Sequence, residues 1–194
     1  MPLRLHDYVL SAESYAVRLM LALLGRSYER VAVDVYPGGG AAPILETDDG
    51  ALRDPGLILT YLVRLTGTEA TWLPADKAAD IAHWLAFAAT ALRPLSEARL
   101  VATLGLPGDL AALNAKGRLA LRTVDDALTD RRLAGADWLC GPTPTLADMA
   151  VFPSVMLSHD SGLGHEPWPA INLWQRRVRR LPGFIGMPGI PDYF

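Results

Sequence analysis

The residues best placed for chemistry lie in one early stretch, Leu5–Gly25, LHDYVLSAESYAVRLMLALLG. Ser11 and Ser14 carry hydroxyls where a strand gives way to a helix. A helix start presents unpaired N–H groups and the positive end of the helix dipole. A hydroxyl there suits binding an anion or lowering the pKa of a thiol. The alternative for either serine is a plain N-cap. Tyr8 is a third hydroxyl, for which a packed or exposed strand residue is the simpler reading. Elsewhere the chemistry thins out. His159, Asp160 and His165 have no cysteine nearby and no zinc-type spacing, so no metal site is expected. Gly38-Gly39-Gly40 lacks the Lys-Ser/Thr ending of a phosphate loop. Cys140 reads as a small packing residue.

These side chains need elements to hold them. A strand is expected from Leu5 to about Leu10. Val17, Met20, Leu21 and Leu24 fall on one face of the following helix, which Gly25 stops. Tyr28, Val31, Val33 and Val35 alternate as a second strand does. Tyr36–Ala41 is a loop, Pro43–Thr47 a third strand, Asp48-Asp49-Gly50 a hairpin turn and Ala51–Arg53 its return. Asp54-Pro55 opens a helix with Leu57, Ile58, Tyr61, Leu62 and Leu65 as its apolar face. Residues 67–77 read as a polar linker. From Ala78 onward the pattern is helical: one helix to about Leu104, one over Leu110–Leu128 with Leu113, Leu119, Leu121, Val124 and Leu128 inward, one opened by the Thr145–Asp148 capping pattern, and a last over Pro169–Leu181. The order β-α-β, hairpin, α suggests a thioredoxin-like layer over residues 1–66, and residues 78–194 an all-α bundle.

Bulk properties narrow the function. The 194 residues carry 18 basic and 21 acidic side chains, a net charge of −3. That gives no general attraction to nucleic acid or anionic membrane. The run Arg176-Arg177 and Arg179-Arg180 therefore reads as a solvated face. No apolar run approaches the roughly 18 residues of a membrane span, and no signal peptide is visible. A single cysteine excludes an intrachain disulfide, and the cytoplasm is the expected compartment.

Four passages together resemble the glutathione transferase family, in its bacterial serine-type branch. Leu10–Asp34 resembles its first βαβ unit, Pro43–Leu62 its cis-proline hairpin and following helix, Trp138–Pro153 its capping-box segment, and Pro169–Phe184 its last helix. The resemblance implies a homodimer with glutathione as co-substrate beside a small hydrophobic electrophile. It implies that Ser11 hydrogen-bonds the glutathione sulfur and favours its thiolate, the reactive form. Other branches use a tyrosine near this strand end, which makes Tyr8 the competing group. Pro43 matches the family's cis-proline, placing the Ala42 backbone against the peptide. Asp54 matches the acid that begins the γ-glutamyl site, and Asp148 a structural capping acid.

Two departures stand out. The family's Glu-Ser pair is here Asp54-Pro55. Pro55 lacks both the hydroxyl and the N–H that would hold the γ-glutamyl carboxylate. Hydrogen bonds to charged groups contribute about 1.5–3 kcal/mol each, so their loss weakens binding unless the Gly56 N–H takes their place. Secondly, Tyr36–Ala41 is too short for the helix the family carries there. Six residues reach about 20 Å extended, against roughly 10 Å to cross one strand. The sheet closes, but the glycine end of glutathione loses contacts. The apolar tail Pro182–Phe194 is expected to fold over the cleft and line the electrophile's site, or else to staple the helical region.

Overall fold

A computed structural model describes residues 3–34 and 42–187. Strand β1 (Arg4–Asp7) leads into α1 (Ala12–Leu23), then β2 (Glu29–Ala32), β3 (Ile44–Thr47), β4 (Gly50–Leu52) and α2 (Pro55–Thr66). The sheet order is β2-β1-β3-β4. β1 runs parallel to β2 and antiparallel to β3, with Leu5 opposite Leu45. Leu5 and Leu45 are fully buried and face α1 and α2, whose Tyr15, Leu19, Ile58 and Leu62 complete that layer. This is the thioredoxin-like arrangement expected from the pattern.

The remainder is helical: α3 (Glu69–Trp72), α4 (Ala78–Thr90), α5 (Arg93–Leu104), α6 (Leu110–Leu133), α7 (Leu146–Met156) and α8 (Pro169–Val178). One apolar cluster runs from Leu5 and Leu45 through α7 to Trp174 on α8. α7 is the central element. Ten of its eleven residues are buried, so it reads as an apolar run without a polar face.

Several expectations need correction. β1 ends at Asp7, because Tyr8–Leu10 turns: the Ser11 N–H donates to the Tyr8 carbonyl at 3.0 Å. The helix expected to run to Leu104 is two, broken at Ala91–Leu92. Pro94 explains the break, since it offers no N–H to the preceding turn and its ring would strike that turn's carbonyl. The stretch read as linker holds α3, with Trp72 buried. Leu57, Leu65 and Leu119 are exposed, Leu119 at 70%. The inward face of α6 runs instead through Gly117, Ala120, Leu121, Val124 and Leu128.

Gly117 marks a close approach of α6 to α5. A Cβ there would overlap Leu95 and lie 3.1 Å from Leu163. Gly117→Ala is therefore expected to destabilise by about 1–3 kcal/mol, lowering Tm by roughly 2–12 °C in a thermal melt.

The described part of the tail does not line the cleft. The Tyr15 hydroxyl donates to the Ile185 carbonyl at 2.7 Å. Phe184 stacks edge-on against Phe152, Met187 is buried, and Gly183 passes against the Ala22 backbone at a positive φ of 87°. Residues 182–187 thus fasten α1 to α7. The Tyr36–Ala41 connection and the tail residues Ile190, Tyr193 and Phe194 lie outside the described residues.

Candidate active site

Ser11 is the N-cap of α1, in extended conformation (φ −72°, ψ 130°). Its Oγ accepts the Ser14 N–H at 3.0 Å and donates to Glu13 Oε2 at 2.8 Å. Both roles follow from local sequence: a serine before a helix caps it, and an acidic residue in the first turn suits the dipole. Ser14 is fully buried, and its Oγ accepts the Tyr8 N–H at 3.4 Å. It closes the loop from inside. Tyr8 is half-buried; burial first, then the Asp34 charge, push its phenol above the usual value, with Arg99 opposing. It is therefore a poor source of phenolate.

Ser11 lines a cavity of about 170 Å³ with Tyr8, Leu10, Ala42, Ser96 and Arg99. The Ala42–Pro43 peptide is cis. Ala42 is at the cavity wall, while Pro43 is buried behind it. The structure thus brings Ser11 and Ala42 onto one cavity from positions far apart in the chain.

Asp54 and Gly56 line the adjoining groove, about 600 Å³, between the start of α2 and the alanine-rich face of α4. Ala12 and Glu13 line both spaces. Asp54 is the N-cap of α2; its Oδ1 accepts the Leu57 N–H at 2.8 Å. Pro55 occupies the first helical position and has no N–H. The second position is Gly56, whose amide is one of the donors a helix start leaves without an intrahelical acceptor. Gly56 lines the groove directly after Pro55.

Two residues of the site escaped the sequence reading. Glu13 was legible: an acid two residues after a capping serine, in the first turn. Arg99 was not, because its partners lie far away in sequence. Its Nε donates to Asp160 Oδ2 at 2.7 Å and its Nη1 to the Leu10 carbonyl.

The other reactive side chains serve the fold. Among the described residues, no group of three or more His, Cys, Asp or Glu is placed to hold a metal ion. His165 Nε2 meets Ser158 Oγ at 2.8 Å, and His159 Nε2 pairs with Asp160 at 3.1 Å. Burial, then the nearby His159 charge, lowers the His165 pKa below 6.5. The folded state therefore prefers it neutral. The linked stability is complete above pH 6.5 and is lost as pH falls through the folded value. Tm is expected to drop more between pH 7 and 5 in the native protein than in His165→Gln. Equal slopes would remove His165 from the acid response. Cys140 is buried, which pushes its thiol up to about 11, so it is no nucleophile at neutral pH. No described helix is long and apolar enough to cross a membrane.

Known proteins share this fold. No protein-family model matches the chain. A possible glutathione S-transferase from Rhodopseudomonas palustris has a similar structure, with a TM-score of 0.84, 28% identity, and 98% of this chain and 100% of that one covered. A glutathione S-transferase from Xanthobacter autotrophicus Py2 superposes with a TM-score of 0.83 at 26% identity, over 96% and 97% of the two chains. A thioredoxin-like layer joined to a helical region is thus the glutathione transferase fold. Glutathione S-transferase GST-4.5 of Xanthomonas campestris pv. campestris is 30% identical over 144 residues, covering 72% of this chain and 70% of that protein. The chain belongs to the glutathione S-transferase family.

Proposed function

We propose that this protein conjugates glutathione to a small hydrophobic electrophile. The observation that carries the reading is the meeting of Ser11 and Ala42 on one cavity at the start of α1. The glutathione sulfur binds beside Ser11, and the Ser11 hydroxyl turns from Glu13 to donate to it. The helix dipole adds to that donation, so the thiol proton leaves to solvent and the thiolate remains. The thiolate then forms a carbon–sulfur bond as the electrophile's leaving group departs. Ala42 holds the peptide middle of glutathione. Asp54 and the Gly56 amide hold its γ-glutamyl end in the adjoining groove, with Pro43 behind Ala42 shaping the wall. A reduced thiol co-substrate fits a cytoplasmic setting, and the exposed Leu57 and the alanine face of α4 suit a homodimer contact.

A second reading has its own support. Ser11's proton points to Glu13 and Pro55 withholds an N–H, which favours a non-catalytic binding or interaction protein that has lost the glutathione site. Titration calorimetry with glutathione, followed by conjugation of 1-chloro-2,4-dinitrobenzene, separates the two. Binding with turnover supports the transferase. No binding at millimolar glutathione supports the second reading, and binding without turnover removes both.

A further inference from the structure

Arg99 is a charge taken almost wholly out of water, 5% exposed on the inward face of α5 beside Leu95 and Ala98. Burying a guanidinium costs several kcal/mol unless it is well paired. A leucine or methionine would fill this space without that cost. What the arginine adds is direction: one nitrogen on Asp160 and one on the Leu10 carbonyl, the peptide immediately before Ser11. Asp160 is itself anchored, its second oxygen 3.1 Å from His159 Nε2.

The same loop is held from the opposite side. Arg18 on α1, 6% exposed, gives Nη1 to buried Asp7 and Nη2 to the Val9 carbonyl at 3.2 Å. Two successive carbonyls, Val9 and Leu10, therefore each end on a buried guanidinium, one from α1 and one from α5. The other bonds of the Tyr8–Ser11 turn all run within the turn or to the start of α1: the Ser11 N–H to the Tyr8 carbonyl, the Tyr8 N–H to Ser14 Oγ at a long 3.4 Å, the Ser14 N–H to Ser11 Oγ and the Tyr15 N–H to the Ser11 carbonyl, each at 3.0 Å. Arg99 links the serine end of this turn, seated on α1, to the α5 wall of the cavity.

We propose that Arg99, oriented by Asp160, is a positioning residue for the thiol site: by gripping the Leu10 carbonyl it sets where the Ser11 hydroxyl stands relative to bound glutathione. The proposal rests on the thiolate role given to Ser11 above. Hydrogen bonds to a developing thiolate depend steeply on placement, and a misplacement of about 1 Å costs on the order of 10²-fold. Arg99 acts through Ser11, so its effect disappears when the Ser11 hydroxyl is absent.

The test uses the full chain with Arg99→Gln, Arg99→Lys, Asp160→Asn, Ser11→Ala and the double variant Arg99→Gln/Ser11→Ala. Conjugation rates are read across pH, and amide hydrogen exchange is followed without ligand. Arg99→Gln is expected to lower kcat/KM about tenfold or more and to give a roughly tenfold smaller thiolate fraction at neutral pH. Arg99→Lys, which keeps a charge and donors, recovers part of the loss. In the Ser11→Ala background, Arg99→Gln adds little, as non-additive partners do. Losses that multiply instead, or an Arg99→Gln protein that matches the parent in rate and pH profile, would overturn the proposal. If the parent protein binds no glutathione, the transferase reading fails separately, and exchange decides the positioning. Ser11 and Ser14 amides exchanging at least about tenfold faster in Arg99→Gln, with α8 amides unchanged, support it. Unchanged loop exchange overturns it. Should Arg99→Gln not fold, Arg99→Lys and Asp160→Asn carry the same comparison.

Discussion

Asp148→Ala is expected to be strongly destabilising. The Asp148 carboxylate is fully buried and accepts four hydrogen bonds. They come from the Leu139 N–H at 3.1 Å, the Trp174 indole N–H at 2.8 Å, the Thr145 N–H at 2.9 Å and the Thr145 hydroxyl at 3.2 Å. One side chain thus caps α7, fixes the 139–145 loop and holds α8 through Trp174. Alanine leaves three N–H donors buried without acceptors. Each such donor costs about 1–3 kcal/mol, so the total is roughly 3–9 kcal/mol against a typical domain stability of about 5–15 kcal/mol. A fall in Tm of at least roughly 6 °C is expected, at about 2–4 °C per kcal/mol. Asp148→Asn keeps an acceptor for one pair of donors but turns an NH₂ toward the other, so it falls between.

The pH dependence of that gap is a sharper check. Burial pushes the Asp148 carboxyl above the usual aspartate range, against hydrogen bonds that pull it down. A raised folded-state pKa means the folded protein binds this proton more tightly than the unfolded chain does. The linked stability is complete below about 3.8, the ordinary aspartate value, and is lost as pH rises through the folded value. The Tm difference between the parent and Asp148→Ala is therefore expected to widen on acidification from pH 7. A difference that shrinks would mean the carboxylate is held ionised, and that its four donors outweigh burial.

Asp148 also shows what the sequence made visible. Thr145 and Asp148 sit three residues apart before an apolar run, and that local spacing predicts the cap. It says nothing of Trp174, whose bond to Asp148 comes from another helix. The same division holds elsewhere. The period-2 pattern located β2, the period-3.6 pattern α1 and α2, and the Thr145–Asp148 cap before an apolar run α7, since each is decided by residues within a few positions. Pro94 marked the break between α4 and α5 just as locally, and the apolar positions on either side masked it. Leu119 looked inward because leucine usually is; the tight contact at Gly117 turned the buried face away from it. Arg99 was beyond reach. Its partners Leu10 and Asp160 lie 89 and 61 positions away, and nothing in α5 distinguishes it from a solvated arginine until the fold closes.

Glu13→Gln is expected to accelerate conjugation, and Ser11→Ala to suppress it. Ser11 has a single proton, and without ligand that proton is directed to Glu13 Oε2 at 2.8 Å. The hydroxyl must give up a charge-assisted bond, about 1.5–3 kcal/mol, before it can donate to sulfur, whereas a neutral acceptor holds it by about 0.5–1.5 kcal/mol. The Glu13 carboxylate also lines the cavity where the thiolate would form, and like charges in one cavity repel. Glutamine preserves the shape and removes the charge, so kcat/KM toward an aryl halide should rise roughly tenfold, at about 1.4 kcal/mol per factor of ten. The pH at which the thiolate appears should fall. Ser11→Ala loses the donor and should cost roughly 10–100-fold in kcat/KM, from a bond of about 1.5–3 kcal/mol. It also loses the N-cap, about 0.5–2 kcal/mol of stability, which glycine would largely preserve. Ser11→Gly and Ser11→Ala should therefore match in rate while only Ser11→Ala melts lower. In either background Glu13→Gln should help less than in the parent, because only the repulsion remains to be relieved. A Glu13→Gln protein that reacts more slowly and binds glutathione more weakly would reverse the assignment: Glu13 would then be holding the ammonium of the γ-glutamyl end in the groove it shares with Asp54, and the hydrogen bond to Ser11 would be what the ligand replaces.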